Sequence, residues 1–156
     1  MLEQVKKLYG HYETNGYVFT KCRGNRIAIL KKTNTTTTDE GRIVADSKFA
    51  LYTGSLFYVV LIFDMYEPHR TYQSAFQWYE TNIQYFKSLE AAYYYKIENF
   101  AQYNGIHKEF DRNGMLVKEC EYENGKLHGK LKRYDYGNLV YIDTYHRGNF
   151  KIGYAS

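Results

Sequence analysis

Metal chemistry needs His, Cys or carboxylate ligands brought together at close spacing, so the five histidines, His11, His69, His107, His128 and His146, are the first residues to test. None forms an HxxxH pair, and none stands beside a Cys pair. His128 falls at a turn, where a surface role accounts for it. Nucleophilic chemistry has one candidate, Cys22, set between Lys21 and Arg23. Two cations would depress an exposed thiol's pKa, whereas a cysteine packed in a strand is a small apolar residue. Phosphate cradling has no support: GxGxxG, P-loop and GxSxG patterns are absent, and Gly10, Gly16 and Gly24 read as isolated turn glycines. The residue types therefore name no catalytic group, metal or cofactor.

What remains is recognition. The C-terminal third carries Phe110, Tyr122, Tyr134, Tyr136, Tyr141 and Tyr145 among Lys126, Lys130, Lys132 and Arg133. Tyrosine buries a large ring and keeps a polar tip, which suits both cores and interfaces. Tyr122, Lys132, Arg133, Tyr134, Tyr136 and Tyr145 are the candidate binding residues. The expected partner is another protein or a second copy of the chain. A membrane surface is a further option, since each basic group near an anionic leaflet contributes about 1 kcal/mol. Nucleic acid is disfavoured, because the net charge of +4 is spread evenly, with +2 on residues 1–104 and +2 on residues 105–156.

Elements must position these residues, and the composition says which kind. The chain of 156 residues has 19 Tyr and 9 Phe against one Pro, a balance that favours pleated, half-buried surface. Cys22 and Cys120 lie far apart and read as reduced thiols of a cytoplasmic protein. The N-terminus lacks an apolar run of signal-peptide length, and Leu56 to Phe63, the longest apolar run, is too short to span a bilayer.

Along the chain, Leu2 to Leu8 reads as a short helix, punctuated by Gly10 and Asn15-Gly16. Tyr17 to Arg23, the turn Gly24-Asn25 and Arg26 to Leu30 read as a hairpin. Lys31 to Gly41 reads as a flexible loop, because none of its residues favours burial. Arg42 to Ala50 has little periodicity. Leu56 to Phe63 reads as a central strand covered on both faces, and Asn82 to Phe86 as another strand. Ser88 reads as the N-cap of a helix running to Tyr95 or slightly beyond.

From Gly105 the chain repeats itself. At an offset of 24 residues Gly105 matches Gly129, Phe110 matches Tyr134, Asp111 matches Asp135 and Gly129 matches Gly153. After a one-residue deletion in the second unit, Leu116-Val117 matches Leu139-Val140, Tyr122 matches Tyr145, and Asn124-Gly125 matches Arg147-Gly148. Each unit reads as strand, Gly/Asn turn, strand, Gly turn. Leu116, Lys118, Cys120 and Tyr122 are expected on one face, with Val117, Glu119, Glu121 and Glu123 on the other. The expected fold is α+β and β-rich: a small N-terminal α+β unit over residues 1–102, with a flexible loop at about 31–41, then a single-layer sheet of tandem β-hairpins over residues 103–156.

The stretch Asn124 to Asn138, NGKLHGKLKRYDYGN, resembles the antitoxin-type variant of the MORN repeat, whose units run Asn-Gly-Lys-Leu-His-Gly, an aromatic, then a second Asn-Gly turn. The last unit departs from it, with Arg147-Gly148-Asn149-Phe150 lacking the Leu-His-Gly end. The N-terminal part is similar to an uncharacterised domain of large DNA viruses and phages, through Gly16-Tyr17 with Lys21-Cys22-Arg23 and through Asn82-Ile83-Gln84-Tyr85-Phe86 with Glu90-Ala91-Ala92. That family has Gly and His where this chain has Asn82 and Gln84. The resemblance implies a viral or phage origin, a place in the host cytoplasm or virion, and a structural or interaction role. The Asn82–Phe86 motif also looks like a strand of ADP-ribosyltransferases, which implies an alternative: a degenerate transferase with accessory repeats, its first-strand motif near Lys21-Cys22-Arg23.

Overall fold

A computed structural model describes residues 1–73 and 75–155, the last four of these by backbone alone. It is α+β and β-rich, and it divides into two units: Met1–Glu98 with Arg112–Gly114, and Asn99–Asp111 with Met115 onward.

In the first unit, α1 (Leu2–Thr14) turns Val5 and Tyr9 inward. It runs through Gly10, expected as a break, because a glycine in a helix interior costs only about 1 kcal/mol and leaves the hydrogen-bond ladder intact. The helix stops instead at Asn15 and at Gly16, whose φ of +82° suits glycine. β1 (Val18–Cys22) and β2 (Arg26–Lys31) form the expected hairpin, with Gly24 and Asn25 both at positive φ.

β3 (Thr37–Thr38), β4 (Tyr52–Ser55), β5 (Phe57–Asp64), β6 (Phe76–Trp78) and β7 (Ile83–Tyr85) complete two antiparallel sheets, ordered β1-β2-β5-β6 and β3-β4-β7. Phe19 and Phe86 exchange backbone hydrogen bonds of 2.9 and 2.8 Å, stitching the sheets together. Ser88 caps α2 (Leu89–Tyr94) as expected, its side chain accepting from Ala91 N at 3.2 Å, and the helix ends at Tyr94.

Two apolar layers meet on the first sheet. Ala28 and Leu30 join Val18, Ala50, Tyr52, Phe57, Val59, Ile83 and Tyr85 on one side. Ile27 and Ile29 alternate to the other, where Phe63 stacks on Tyr9 of α1 at 4.1 Å. The strand covered on both faces is therefore β2, with four consecutive buried residues, and not the longer run in β5. β5 serves both layers by another device. A register shift leaves Val60 without a partner, so Phe57 and Val59 face one layer and Leu61 and Phe63 the other.

The tract expected as a flexible loop at 31–41 is built into the unit. Lys31 ends β2, and Thr37 and Thr38 pair with Ser55 and Gly54. The Thr36 hydroxyl donates to Leu56 O at 2.7 Å and accepts from Thr33 N at 2.8 Å. Glu40 takes Lys32 at 2.6 Å, Lys87 at 3.1 Å and the Tyr85 hydroxyl. Burial pushes this carboxyl up, but those three donors outweigh it and hold it below its ordinary range. Polar side chains here supply the hydrogen bonds that an apolar core does not.

The second unit is one antiparallel sheet ordered β12-β11-β10-β9-β8: β8 (Gly105–Phe110), β9 (Leu116–Glu123), β10 (Lys126–Asp135), β11 (Asn138–His146) and β12 (Asn149–Ala155). The turns Asn124-Gly125, Tyr136-Gly137 and Arg147-Gly148 each hold both residues at positive φ, as two-residue hairpin turns matched to strand twist require.

The pairing register repeats with the sequence. Gly105 faces Tyr122 as Gly129 faces Tyr145, and His107 faces Cys120 as Leu131 faces Asp143. Phe110 faces Leu116 as Tyr134 faces Leu139, each pair just beyond a register shift. That shift leaves Val117 unpaired and moves Leu116 to the face opposite Lys118 and Cys120, against the expectation from simple alternation. The turns are locked alike. Gly125 N donates to Tyr103 O and Asn124 N to Asn104 Oδ1, while Gly148 N donates to Leu127 O and Arg147 N to His128 Nδ1.

Candidate functional site

The structure does not gather the six candidate residues into one stripe. Strand alternation and register place Tyr122, Arg133 and Tyr145 on the face that carries Lys118, Cys120, Leu131, Tyr141 and Asp143. Lys132 and Tyr134 lie on the opposite face, and Tyr136 sits at a turn. The one-residue register shift between Arg133 and Tyr134 lies within this set.

Tyr122 is occupied by its own unit. Phe100 stacks on it with ring centroids 4.5 Å apart, and Tyr103 and His107 meet it edge-on. Burial pushes its phenol up to about 12. Lys132 lies 3.9 Å from Glu119 on the neighbouring strand. Arg133 is exposed beside Tyr141. Tyr145 is half-buried and meets Phe150 edge-on at 5.8 Å, leaving Phe150 57% exposed. Tyr136 is 86% exposed.

Sequence reading passed over Tyr141 and Asp143 as binding residues. Asp143 is only 8% exposed, and its Oδ1 has no hydrogen-bond partner among the described residues. Tyr141 donates a hydrogen bond to the Asp143 carboxylate, which pushes that phenol up. The signal was present in the repeat alignment, where Asp143 falls on Cys120, a position that is buried in the first hairpin pair.

The residues considered for covalent chemistry do structural work. Lys21 Nζ donates to Tyr93 O and Tyr95 O, both at 2.7 Å, at the C-terminal end of α2. Burial pushes the Cys22 thiol up to about 11 despite the cations beside it, so the nucleophile reading loses its physical basis. His128 accepts from the Arg147 turn and lies 3.3 Å from Glu123. Among the described residues no group of three His, Cys, Asp or Glu side chains could hold a metal ion. No helix among them is long and apolar enough to cross a membrane.

Lys21 gives a pH dependence with a definite sign. Burial pulls its pKa down to about 7 from 10.5, partly opposed by the Glu98 carboxylate and by the Cys22 sulfur when ionised. Between those values the folded chain has shed a proton that the unfolded chain still holds, so stability rises with pH from about 7 upward. Cys22 acts the other way: its folded pKa lies above the ordinary 9.0, so stability falls once the unfolded thiol ionises. Urea unfolding midpoints should therefore climb from pH 7 to about pH 9 and level off above it, where the two slopes oppose each other. Lys21→Met should flatten that climb, and an unchanged slope would remove Lys21 as its source.

Compared with protein-family models, curated proteins and solved structures, the chain shows no significant match.

Proposed function

We propose that the hairpin-repeat sheet, of the MORN type its sequence resembles, is a non-enzymatic protein-interaction platform of a scaffold or virion-associated protein. One observation carries this reading. Tyr136 occupies the first position of a two-residue turn at φ +48° and is 86% exposed. A non-glycine residue in the left-handed region costs roughly 1–2 kcal/mol, and an exposed ring recovers none of it by packing. A bulky aromatic at such a position gains little from packing, which supports a use in recognition. Ile106, Val140 and Phe150 add exposed apolar surface on the same sheet.

The sheet also ends in strands β8 and β12, each paired on one side, which makes self-assembly through an edge a form of the same reading. The transferase alternative gains no support from Lys21 and Cys22, which are engaged in packing and capping.

The test is affinity capture of the tagged chain against a Tyr134→Ser, Tyr136→Ser double variant. A specific protein partner should be retained by the parent and lost by the variant, whose unfolding free energy changes by no more than about 1 kcal/mol. Retention of all partners by the variant would refute the platform reading, as would saturable NAD binding without any partner. Light scattering distinguishes self-assembly from a monomer of 18.5 kDa.

A further inference from the structure

The two repeats match in register but not in cover. In the first, Tyr122 lies under Phe100 at 4.5 Å and 18°, and the segment bearing Phe100 runs against the turn glycine: a Cβ on Gly125 would come within 2.6 Å of Phe100 O. Cys120 beside it is buried and hydrogen-bonded to the Tyr122 hydroxyl. A short turn, closed by Tyr103 N donating to Phe100 O at 2.7 Å, thus covers the tyrosine with Phe100 stacked and Tyr103 edge-on, and a neutral residue fills the neighbouring position.

In the second repeat Tyr145 stands where Tyr122 stood and Asp143 where Cys120 stood. Among the described residues Tyr145 meets one ring, Phe150, and only edge-on. The position beside it now holds a carboxylate that is nine-tenths buried, with one oxygen unpartnered among the described residues. Arg133 lies in the adjacent row, across from Tyr141, and leaves Oδ1 without a donor. A buried carboxylate oxygen without a donor is a costly arrangement that a cationic donor would relieve.

We infer that the Tyr141–Asp143–Tyr145 row with Phe150 receives a short segment of a partner protein, its aromatic ring on Tyr145 and an adjacent Lys or Arg on Asp143. The first repeat supplies the aromatic half of this argument, since Phe100 shows how a ring seats on the equivalent tyrosine. The second half is charge complementarity: an orphaned carboxylate oxygen flanked by Tyr141 and Tyr145 along one strand face suits an ammonium or guanidinium, which tyrosine rings also attract. The inference rests on the platform reading and names the chemistry of the partner.

The probe is acetyl-Ser-Phe-Lys-Ser-amide, titrated into the full chain and followed by backbone amide shifts, with Phe-Glu and Ala-Lys versions as comparisons. The Phe-Lys peptide should bind saturably with shifts on β11 and β12. The Phe-Glu and Ala-Lys peptides should each bind at least tenfold more weakly. Asp143→Asn and Tyr145→Ser should each weaken the Phe-Lys peptide by tenfold or more, while Tyr136→Ser leaves it unchanged. Asp143→Asn removes a buried charge at constant shape and should melt no lower than the parent, so its loss of binding is not a loss of fold. Equal affinity for Phe-Glu, equal affinity in Asp143→Asn, or no saturable shift would each overturn the inference. A partner captured by the parent and by Asp143→Asn, yet lost from the Tyr134, Tyr136 double variant, would overturn it while leaving the platform reading standing.

Discussion

Gly114→Ala should destabilise the first unit by roughly 3–5 kcal/mol, the sum of left-handed backbone strain and a clash that cannot relax. Gly114 holds φ at +85°, and a Cβ there would overlap Asp46 O and lie 2.9 Å from Ala50 N. Both neighbours are backbone, so no side chain can swing aside. They are also fixed: Ala50 N donates to Asp46 O at 2.9 Å, and Ala45 N and Asp46 N both donate to Asn113 O at 2.9 Å. Gly10→Ala is the matched control. It lies within α1 with open space at its Cβ, and should stabilise by about 0.5–1 kcal/mol. Urea unfolding followed by circular dichroism measures both. A Gly114→Ala chain within about 0.5 kcal/mol of the parent would show that this tripeptide is not seated against Asp46 and Ala50.

Tyr122→Ala should cost about 3–4 kcal/mol, in the range of large aromatic truncations. The loss would strip the Phe100 ring of its stacking partner and open the cluster that Tyr103 and His107 complete. Tyr145→Ala, at the equivalent repeat position, should cost only about 1 kcal/mol, because Phe150 is the one ring it meets among the described residues. The ratio between the two variants is the informative quantity. Equal costs would mean that Tyr145 is covered as Tyr122 is, and the asymmetry between the repeats would disappear.

Much of the fold was legible in the sequence for local reasons. Asn124-Gly125 and Gly24-Asn25 are turns because their residues tolerate positive φ at low cost. Ser88 begins a helix because its hydroxyl can accept from a free amide. The 24-residue offset carries over into strand register, so that Gly105 with Tyr122 predicts Gly129 with Tyr145. Where the reading departed from the structure, a tertiary partner decided. Gly10 did not end α1, because Val5 and Tyr9 bury their side chains across the helix and hold it through the weak point. The tract near Thr33 to Glu40 was ordered by Leu56 O, Lys87 and Tyr85, residues distant in sequence.

The binding residues divide along the same line. Composition alone picked out a set of tyrosines and cations on the repeats, because side-chain chemistry is local information. Which of them is free to bind is not local. Tyr122 and Tyr145 hold equivalent places in the repeat, yet the segment Asn99 to Tyr103 seats Phe100 on one, while among the described residues the other meets a single exposed ring. Nothing local marks Asp143 for burial; cross-strand register sets it beside Leu131, where it is 8% exposed. The sequence by itself determined the tight turns, the Ser88 cap and the repeat. Tertiary structure decided burial, because burial depends on which distant segment arrives to cover a residue, and no residue type or spacing encodes that.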